Sequence, residues 1–299
     1  MPPRRVKSTI HNKTQATADA DLPFNPANRV ATEADLRAVF SRAGYAPPDA
    51  VFAPAPLAVL QNAFVHKSYV LRRNESFEDG NARCPPGCVP LQALAYERLE
   101  FLGDSILGAV VSRYLFRRYP GINCAEGFLS QMRTKLVNGN RLAELGTHLG
   151  LGELALISRQ LEAAGGRTHV AVVEDIFEAL IGALFVACEK SAAADGGGPD
   201  ADNECARFVV AVMERYVDFV SLVTADTNPK QRLATEMRRR LGAATAPRYE
   251  HAPGVCRVYA GDAVVGFARG AVRPESEEAD RKRLEYRAAD AAIKSLAAR

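Results

Sequence analysis

The stretch Tyr96-Glu97-Arg98-Leu99-Glu100-Phe101-Leu102-Gly103-Asp104-Ser105-Ile106-Leu107-Gly108 decides how the chain is read. Leu99, Leu102, Ile106 and Val110 recur at helical spacing, and the run is long enough for several turns. On such a helix Glu97, Glu100 and Asp104 stand at i, i+3 and i+7, which lines three carboxylates along one side. Like charges in a row repel one another unless a cation lies between them. Two readings are open at this point: a solvated helix face, or a carboxylate cluster beside packed surface that takes a hard divalent cation. The apolar residues interleaved on both sides of the row favour contact with packed surface.

A second stretch, Val172 to Leu184, reads Val-Val-Glu-Asp-Ile-Phe-Glu-Ala-Leu-Ile-Gly-Ala-Leu and is again helical and mostly apolar. Asp175 and Glu178 share one side of it. Few charges interrupt its apolar part, so these two are candidates for inward-facing ligands. Two apolar helices that each offer a carboxylate pair can enclose an oxygen-lined Mg²⁺ site, and such a site suits phosphoryl transfer to water.

At these residues the chain resembles the ribonuclease III family. Glu97 to Leu107 is similar to that family's signature motif, and Asp175 to Ala183 to its second carboxylate helix. Glu126 to Asn138 resembles the middle helix, and Val65-His66-Lys67-Ser68-Tyr69 the Thr-His-x-Ser-Tyr segment. The matches fall in the family's order, across roughly residues 33 to 222. The resemblance implies an all-α endonuclease domain that works as a homodimer on double-stranded RNA. Its products would carry 5′-phosphate and 3′-hydroxyl ends with short 3′ overhangs. It also implies a metal site for Mg²⁺, with Mn²⁺ as a substitute, held by Glu100, Asp104, Asp175 and Glu178, of which Asp104 and Glu178 are the catalytic pair. Glu97 and Glu126 are secondary acidic groups, for RNA contact, dimer contact or support of the ligands. The residue matching Phe101 plugs into the partner subunit. Glu126 has a second reading, because an acid at a helix N-terminus is favoured by the dipole alone. The competing function is a catalytically weak or inactive double-stranded-RNA-binding scaffold or sequestering protein; the intact acidic pairs argue against it.

Charge is unevenly spread. From Asn228 to the end there are 15 Lys/Arg against 9 Asp/Glu, and residues 1 to 30 carry 5 against 2, so a formal +3 overall hides an acidic middle. An acidic core flanked by basic ends suits a metal-dependent centre with a nucleic-acid-binding appendage. The last part reads as a helix from Pro229 carrying Leu233, Met237 and Leu241. Three short strands follow (Arg248–Glu250, Val255–Ala260, Ala263–Ala271), then a helix over Arg281–Leu296. This α-β-β-β-α order, a small α+β domain, resembles a double-stranded-RNA-binding domain, which reads A-form shape. The resemblance places Arg281 and Lys282 on phosphates, with Arg283, Arg287 and Lys230 in the same RNA-binding set. It departs from the family in a short loop after Tyr249, in Thr235 and Glu236 standing one residue out of register, in Leu284 where a small residue is usual, and in the acid between Pro274 and Asp280.

The expected organisation is a disordered basic tail over 1–31, the endonuclease domain over 32–222, a polar linker from Ser221 to Asn228, and the second domain over 228–299. Thr32 is expected to cap the first helix, Leu57 to Lys67 to form the next, Phe128 to Leu149 to run as one helix, and Phe208 to Phe219 as another. Residues 72–90 form a loop longer than the family's, and Ser191 to Asp202 a surface loop. Cys84 and Cys88 lack a second Cys/His pair at zinc spacing, and six scattered cysteines suit reduced thiols. No apolar run nears the ~20 residues of a membrane span, so no membrane partner is expected. The expected location is intracellular, cytoplasmic or nuclear, with a mitochondrial address left open by a half-fitting N-terminal composition.

Overall fold

Helix α1 (Glu33–Arg42) begins at the expected cap: the Thr32 hydroxyl accepts from the Asp35 N–H, and Asp35 accepts from the Thr32 N–H. Helix α2 (Pro54–Asn62) carries proline in its first turn, where no helical N–H is lost. Then come α3 (Glu97–Arg118), α4 (Glu126–Leu136), α5 (Gly139–His148), the short α6 (Arg159–Ala163), α7 (Val170–Asp195) and α8 (Ala201–Tyr216). This computed structural model describes residues 23–71, 80–121, 126–195, 198–224, 229–242, 246–273 and 276–297. The chain divides into two units, Met1–Asp218 and Phe219–Arg299.

The first unit is helical, with only isolated bridges (Val65 with Leu156, Val70 with Gln92) outside helices among the described residues. Its hub is α7. Ile176, Phe177, Ala179, Leu180, Ile181, Ala183, Leu184 and Ala187 are all buried, so this helix is apolar nearly all round. Helices α2, α3, α5 and α8 pack against it.

The approach of α3 to α7 is set by two glycines. A Cβ on Gly103 would stand 1.8 Å from the Glu178 carbonyl oxygen, and one on Gly182 would stand 2.1 Å from the Leu99 carbonyl oxygen. Backbone therefore touches backbone at the crossing. This also corrects the expected core stripe. The buried face of α3 runs through Gly103, Leu107, Val110, Val111 and Leu115, while Leu99, Leu102 and Ile106 are only half-buried. The smallest residue, not the largest, marks the line of closest contact.

Other expectations need correction. The tail is not disordered as far as residue 31, because its described part from residue 23 is pinned to the core. Asn25 and Asn28 donate to the Ile157 carbonyl at 3.2 and 2.9 Å, and Arg167 donates to Asn28 at 2.9 Å. Phe24 packs with Val65, Tyr69, Leu91 and Leu156. Residues 1–22 lie outside the described residues. The helix expected over Phe128–Leu149 is two helices, because Asn138 turns extended and caps α5 through the Arg141 N–H. Helix α7 extends to Asp195 and α8 starts at Ala201, leaving little of the expected Ser191–Asp202 loop. Val217 is extended and ends α8, and α9 (Phe219–Thr224) stands where part of the linker was expected; 225–228 are outside the described residues. Of the 72–90 insertion, 72–79 are likewise outside. The rest docks through the Tyr69 hydroxyl on the Val89 carbonyl (2.6 Å) and through paired Asn81–Leu91 bonds.

In the second unit α10 (Pro229–Leu241) precedes β1 (Arg248–Ala252), β2 (Val255–Ala260) and β3 (Ala263–Arg269). The strands form an antiparallel sheet in that order, and Gly261, at φ 59°, makes the second turn. Helix α11 (Glu277–Ala297) begins one turn earlier than Arg281. Its Leu284, Ala288, Ala289 and Ala292 close a core with Leu233, Met237, Cys256 and Val258. The all-α part followed by a small α+β part is the architecture expected.

Gly103→Ala tests the crossing. The added methyl meets backbone that cannot move aside, so α3 and α7 must separate, and overpacking of this kind costs ~1–3 kcal/mol or more. A chemical-denaturation midpoint equal to that of the unsubstituted chain would show that the contact is not close.

Candidate metal centre

The glycine crossing places the Leu99–Gly103 turn of α3 on the Glu178–Gly182 turn of α7. Both carboxylate pairs flank those turns, so Glu100 and Asp104 come within electrostatic range of Asp175 and Glu178. Burial lifts the Glu178 carboxyl to about 8, reinforced in turn by Asp104, Glu174, Glu100 and Asp175. Glu100 is raised by burial and then by Asp175, Glu97 and Glu174, with Lys67 opposing. Glu174 is raised by burial and by Asp175. These carboxylates share one strongly negative field. Lys67 opposes this field, its Nζ 3.8 Å from Glu97.

Two groups that periodicity did not single out join the site. Glu174 adds charge and also presses its carboxylate onto Gly139 at the start of α5, where a Cβ would stand 2.3 Å from Oε2. Tyr96 is buried and donates its hydroxyl to Asp175 Oδ2 at 2.9 Å. Its backbone N–H bonds the Val65 carbonyl, and its ring meets His66 edge-on at 5.8 Å. His66 does structural work. Its Nδ1 accepts from the Ser68 N–H, and burial followed by the Lys67 charge pushes its pKa down. The signal for Tyr96 was its place directly before the acidic row.

The remaining expected residues lie elsewhere. Glu126 is the first residue of α4, exposed, and accepts from the Ser130 hydroxyl at 2.6 Å. It borders a groove with Ser112, Leu115 and Phe116. Those residues sit roughly 18–24 Å along α3 from Glu100 at about 1.5 Å per residue. Phe101 is 79% exposed on α3, off the face that meets α7. In the second unit Lys230 pairs with Glu285 (2.6 Å) and stands over the Tyr249 ring, and Arg281 pairs with Glu277 (2.5 Å). Arg283 lies 3.8 Å from Asp280, while Lys282 and Arg287 are exposed. Lys230, Tyr249, His251, Arg281 and Lys282 line an open groove that Glu278 and Glu285 also border, so its basic groups are partly offset by acid.

The donor set on α3 and α7 fits a hard divalent cation: carboxylate oxygens alone, crowded enough that Glu178 resists ionising without a counter-charge. Among the described residues no three such side chains already stand in ligating geometry. Among the described residues the thiols form no second cluster, and Cys84 turns its S–H to the Cys88 carbonyl at 3.6 Å.

Residues 57–195 match the family described as Ribonuclease-III-like. Ribonuclease 3 of Tropheryma whipplei (strain Twist) is 35% identical over 187 residues, covering 62% of this chain and 69% of that protein. Ribonuclease 3 of Geobacillus thermodenitrificans is 38% identical over 128 residues, 43% of this chain and 45% of that one. The chain thus spans about half the length of several curated relatives it matches. Among solved structures, the nuclease domain of ribonuclease III from Campylobacter jejuni aligns over 60% of this chain and 96% of its own, at 26% identity and a TM-score of 0.43.

The raised Glu178 carboxyl makes metal-free stability depend on pH in a definite direction. Its pKa stands above the ordinary 4.5, so its contribution is complete below about 4.5 and is lost as pH rises through about 8. Glu178→Gln removes that dependence. Melted in chelator, the variant is expected to match the unsubstituted chain near pH ~5 and to exceed it near pH ~9. Parallel melting curves would mean that the carboxyl is not crowded.

Proposed function

The chain belongs to the ribonuclease III family, and from that premise we propose that it is a metal-dependent endoribonuclease that hydrolyses double-stranded RNA as a homodimer. The observation that carries this reading is the gathering of Glu100, Asp104, Asp175 and Glu178 at one backbone crossing, in a mutual field that favours a cation. These four residues would hold Mg²⁺, with Mn²⁺ as a substitute. When bound, such an ion lowers the pKa of a coordinated water and offsets charge on the phosphate and the leaving oxygen. Tyr96 keeps Asp175 turned toward the centre, and the two glycines keep the pairs from drifting apart. Cleavage leaves a 5′-phosphate and a 3′-hydroxyl, with short 3′ overhangs when the two subunits of a dimer each cut one strand.

The dimer reading rests on Phe101. An aromatic side chain this exposed, beside the half-buried Leu102 and Ile106, is a hydrophobic surface without a partner inside its own unit. In the second unit, the groove lined by Lys230, Arg281 and Lys282, with Arg283 and Arg287 on the same helix, supplies phosphate contacts and holds substrate without chemistry.

The test is paired. Asp104→Asn and Glu178→Gln keep side-chain shape and remove one charge each from the centre. Cleavage of long duplex RNA in Mg²⁺ should fall on the order of a hundred-fold or more, because the ion loses a ligand charge. Gel-shift affinity in Ca²⁺ should hold or tighten as repulsion of phosphate falls. Cleavage within a few-fold of the unsubstituted chain in both variants would sink the assignment. An unsubstituted chain that binds duplex without cutting it would make the protein a scaffold. Separately, Phe101→Ala should weaken self-association by about 2 kcal/mol, roughly thirty-fold, in sedimentation. A variant that stays dimeric and fully active would remove Phe101 from the interface.

A further inference from the structure

The sheet of the second unit has two faces, and only one is covered. Helix α11 packs on β2 and β3, with Gly266 lying against its Ala288–Ala292 backbone. The strand register fixes what faces the other way. Tyr259 pairs with Arg248 on one side and Val264 on the other; Arg257 pairs with Glu250 and Phe267; Val255 pairs with Ala252 and Arg269. A bulge at Val258/Tyr259 turns Val265 into the core and keeps Tyr259, Val264 and Phe267 on the outer face together.

This face carries two aromatic rings on adjacent strands, each attended by arginine. The Arg248 guanidinium stands 4.4 Å over the Tyr259 ring, Arg269 lies 5.8 Å from the Phe267 ring, and Arg257 is directly across from Phe267. Phe267 is 55% exposed and Val264 47%, although each could have been a polar residue on a solvated strand face. The one carboxylate, Glu250, lies 3.6 Å from Arg248, and Arg257 has no ion-pair partner among the described residues. The face is therefore apolar at the rings and cationic around them.

We propose that this face binds unpaired nucleotides of single-stranded RNA. Tyr259 and Phe267 hold diagonal positions on neighbouring strands, whose backbones there stand roughly 7–8 Å apart, within the reach of successive bases of an extended strand. Base stacking tolerates any sequence because every base has a π-face, and arginines beside the rings meet the phosphates that follow. A protein partner matches the apolar part alone, whereas a polyanion with flat rings matches both the rings and the arginine surplus. The surface lies opposite the helices that carry Lys230, Arg281 and Lys282, so it adds a separate contact and does not depend on that set.

The chain contains no tryptophan, so Phe267→Trp places a single indole reporter on this face. In the full-length chain with chelator, titration with a fluorescein-labelled uridine-rich RNA oligonucleotide should quench that indole in step with rising anisotropy. Phe267→Ser should weaken the anisotropy titration by about ten-fold, the scale of one lost stacking contact. Arg257→Gln should weaken it and lower its salt dependence while leaving every apolar residue in place. Circular dichroism melts check that the Ser variant is folded, and Arg257→Gln keeps the proposal testable if it is not. The proposal is overturned by anisotropy that rises without indole quenching, by a folded Phe267→Ser variant that binds as the parent does, or by no binding of the oligonucleotide by the parent. Indole emission that changes with protein concentration and not with RNA would assign the face to a second copy of the chain, which also overturns the proposal.

Discussion

Backbone contact between two helices is what the first unit depends on. Helices carrying ordinary side chains stay about 8–10 Å apart. Glycine at 103 and at 182 removes that limit, and both residues stand within a turn of the acids they serve. The same contact explains why the acids are charged residues in an otherwise apolar neighbourhood. They border the tightest point of the core, where a few ångströms of displacement would separate them.

Around that crossing the structure spends hydrogen bonds on direction, not on bulk. Tyr96 reaches from the start of α3 to Asp175 on α7, while its own backbone holds the Val65 carbonyl. The neighbouring His66 N–H bonds the Leu156 carbonyl, and Ser68 accepts from Ser158. Asn25 and Asn28 then clasp Ile157, with Arg167 donating to Asn28 and to the Ala155 carbonyl. A buried polar group is costly unless it is paired, so these links form only when each segment is in place. Asp175 is oriented by a network that runs to the first described residues of the chain.

Much of this was legible in the sequence. The acidic row from Glu97 to Asp104 and the pair at Asp175 and Glu178 need only helical spacing to be seen, and the strand alternation from Arg248 to Arg269 is equally plain. What spacing hides is which side of a helix meets its neighbour when glycine makes the contact. Leu99, Leu102 and Ile106 look like the core stripe of α3, yet Gly103 is the residue that touches α7. The N-terminal segment hides its order for a related reason. Asn25 and Asn28 have no hydrophobic period, and their partners are more than a hundred residues away. Asn138 escapes a periodicity reading because a single cap breaks a helix without disturbing the apolar pattern on either side of it.

The late position of α7 also has a consequence during synthesis. Helices α2 and α3 leave the ribosome well before residue 170, and the surface that will cover them does not yet exist. At ~5–20 residues per second, the roughly one hundred residues between the end of α2 and the start of α7 take about 5–20 s to appear. For that interval the nascent chain displays the apolar face of α3 and an acidic row with nothing opposite it. Local helix formation cannot resolve this, because the pairing that buries them is long-range. The first unit therefore closes its core only after α7 has been made.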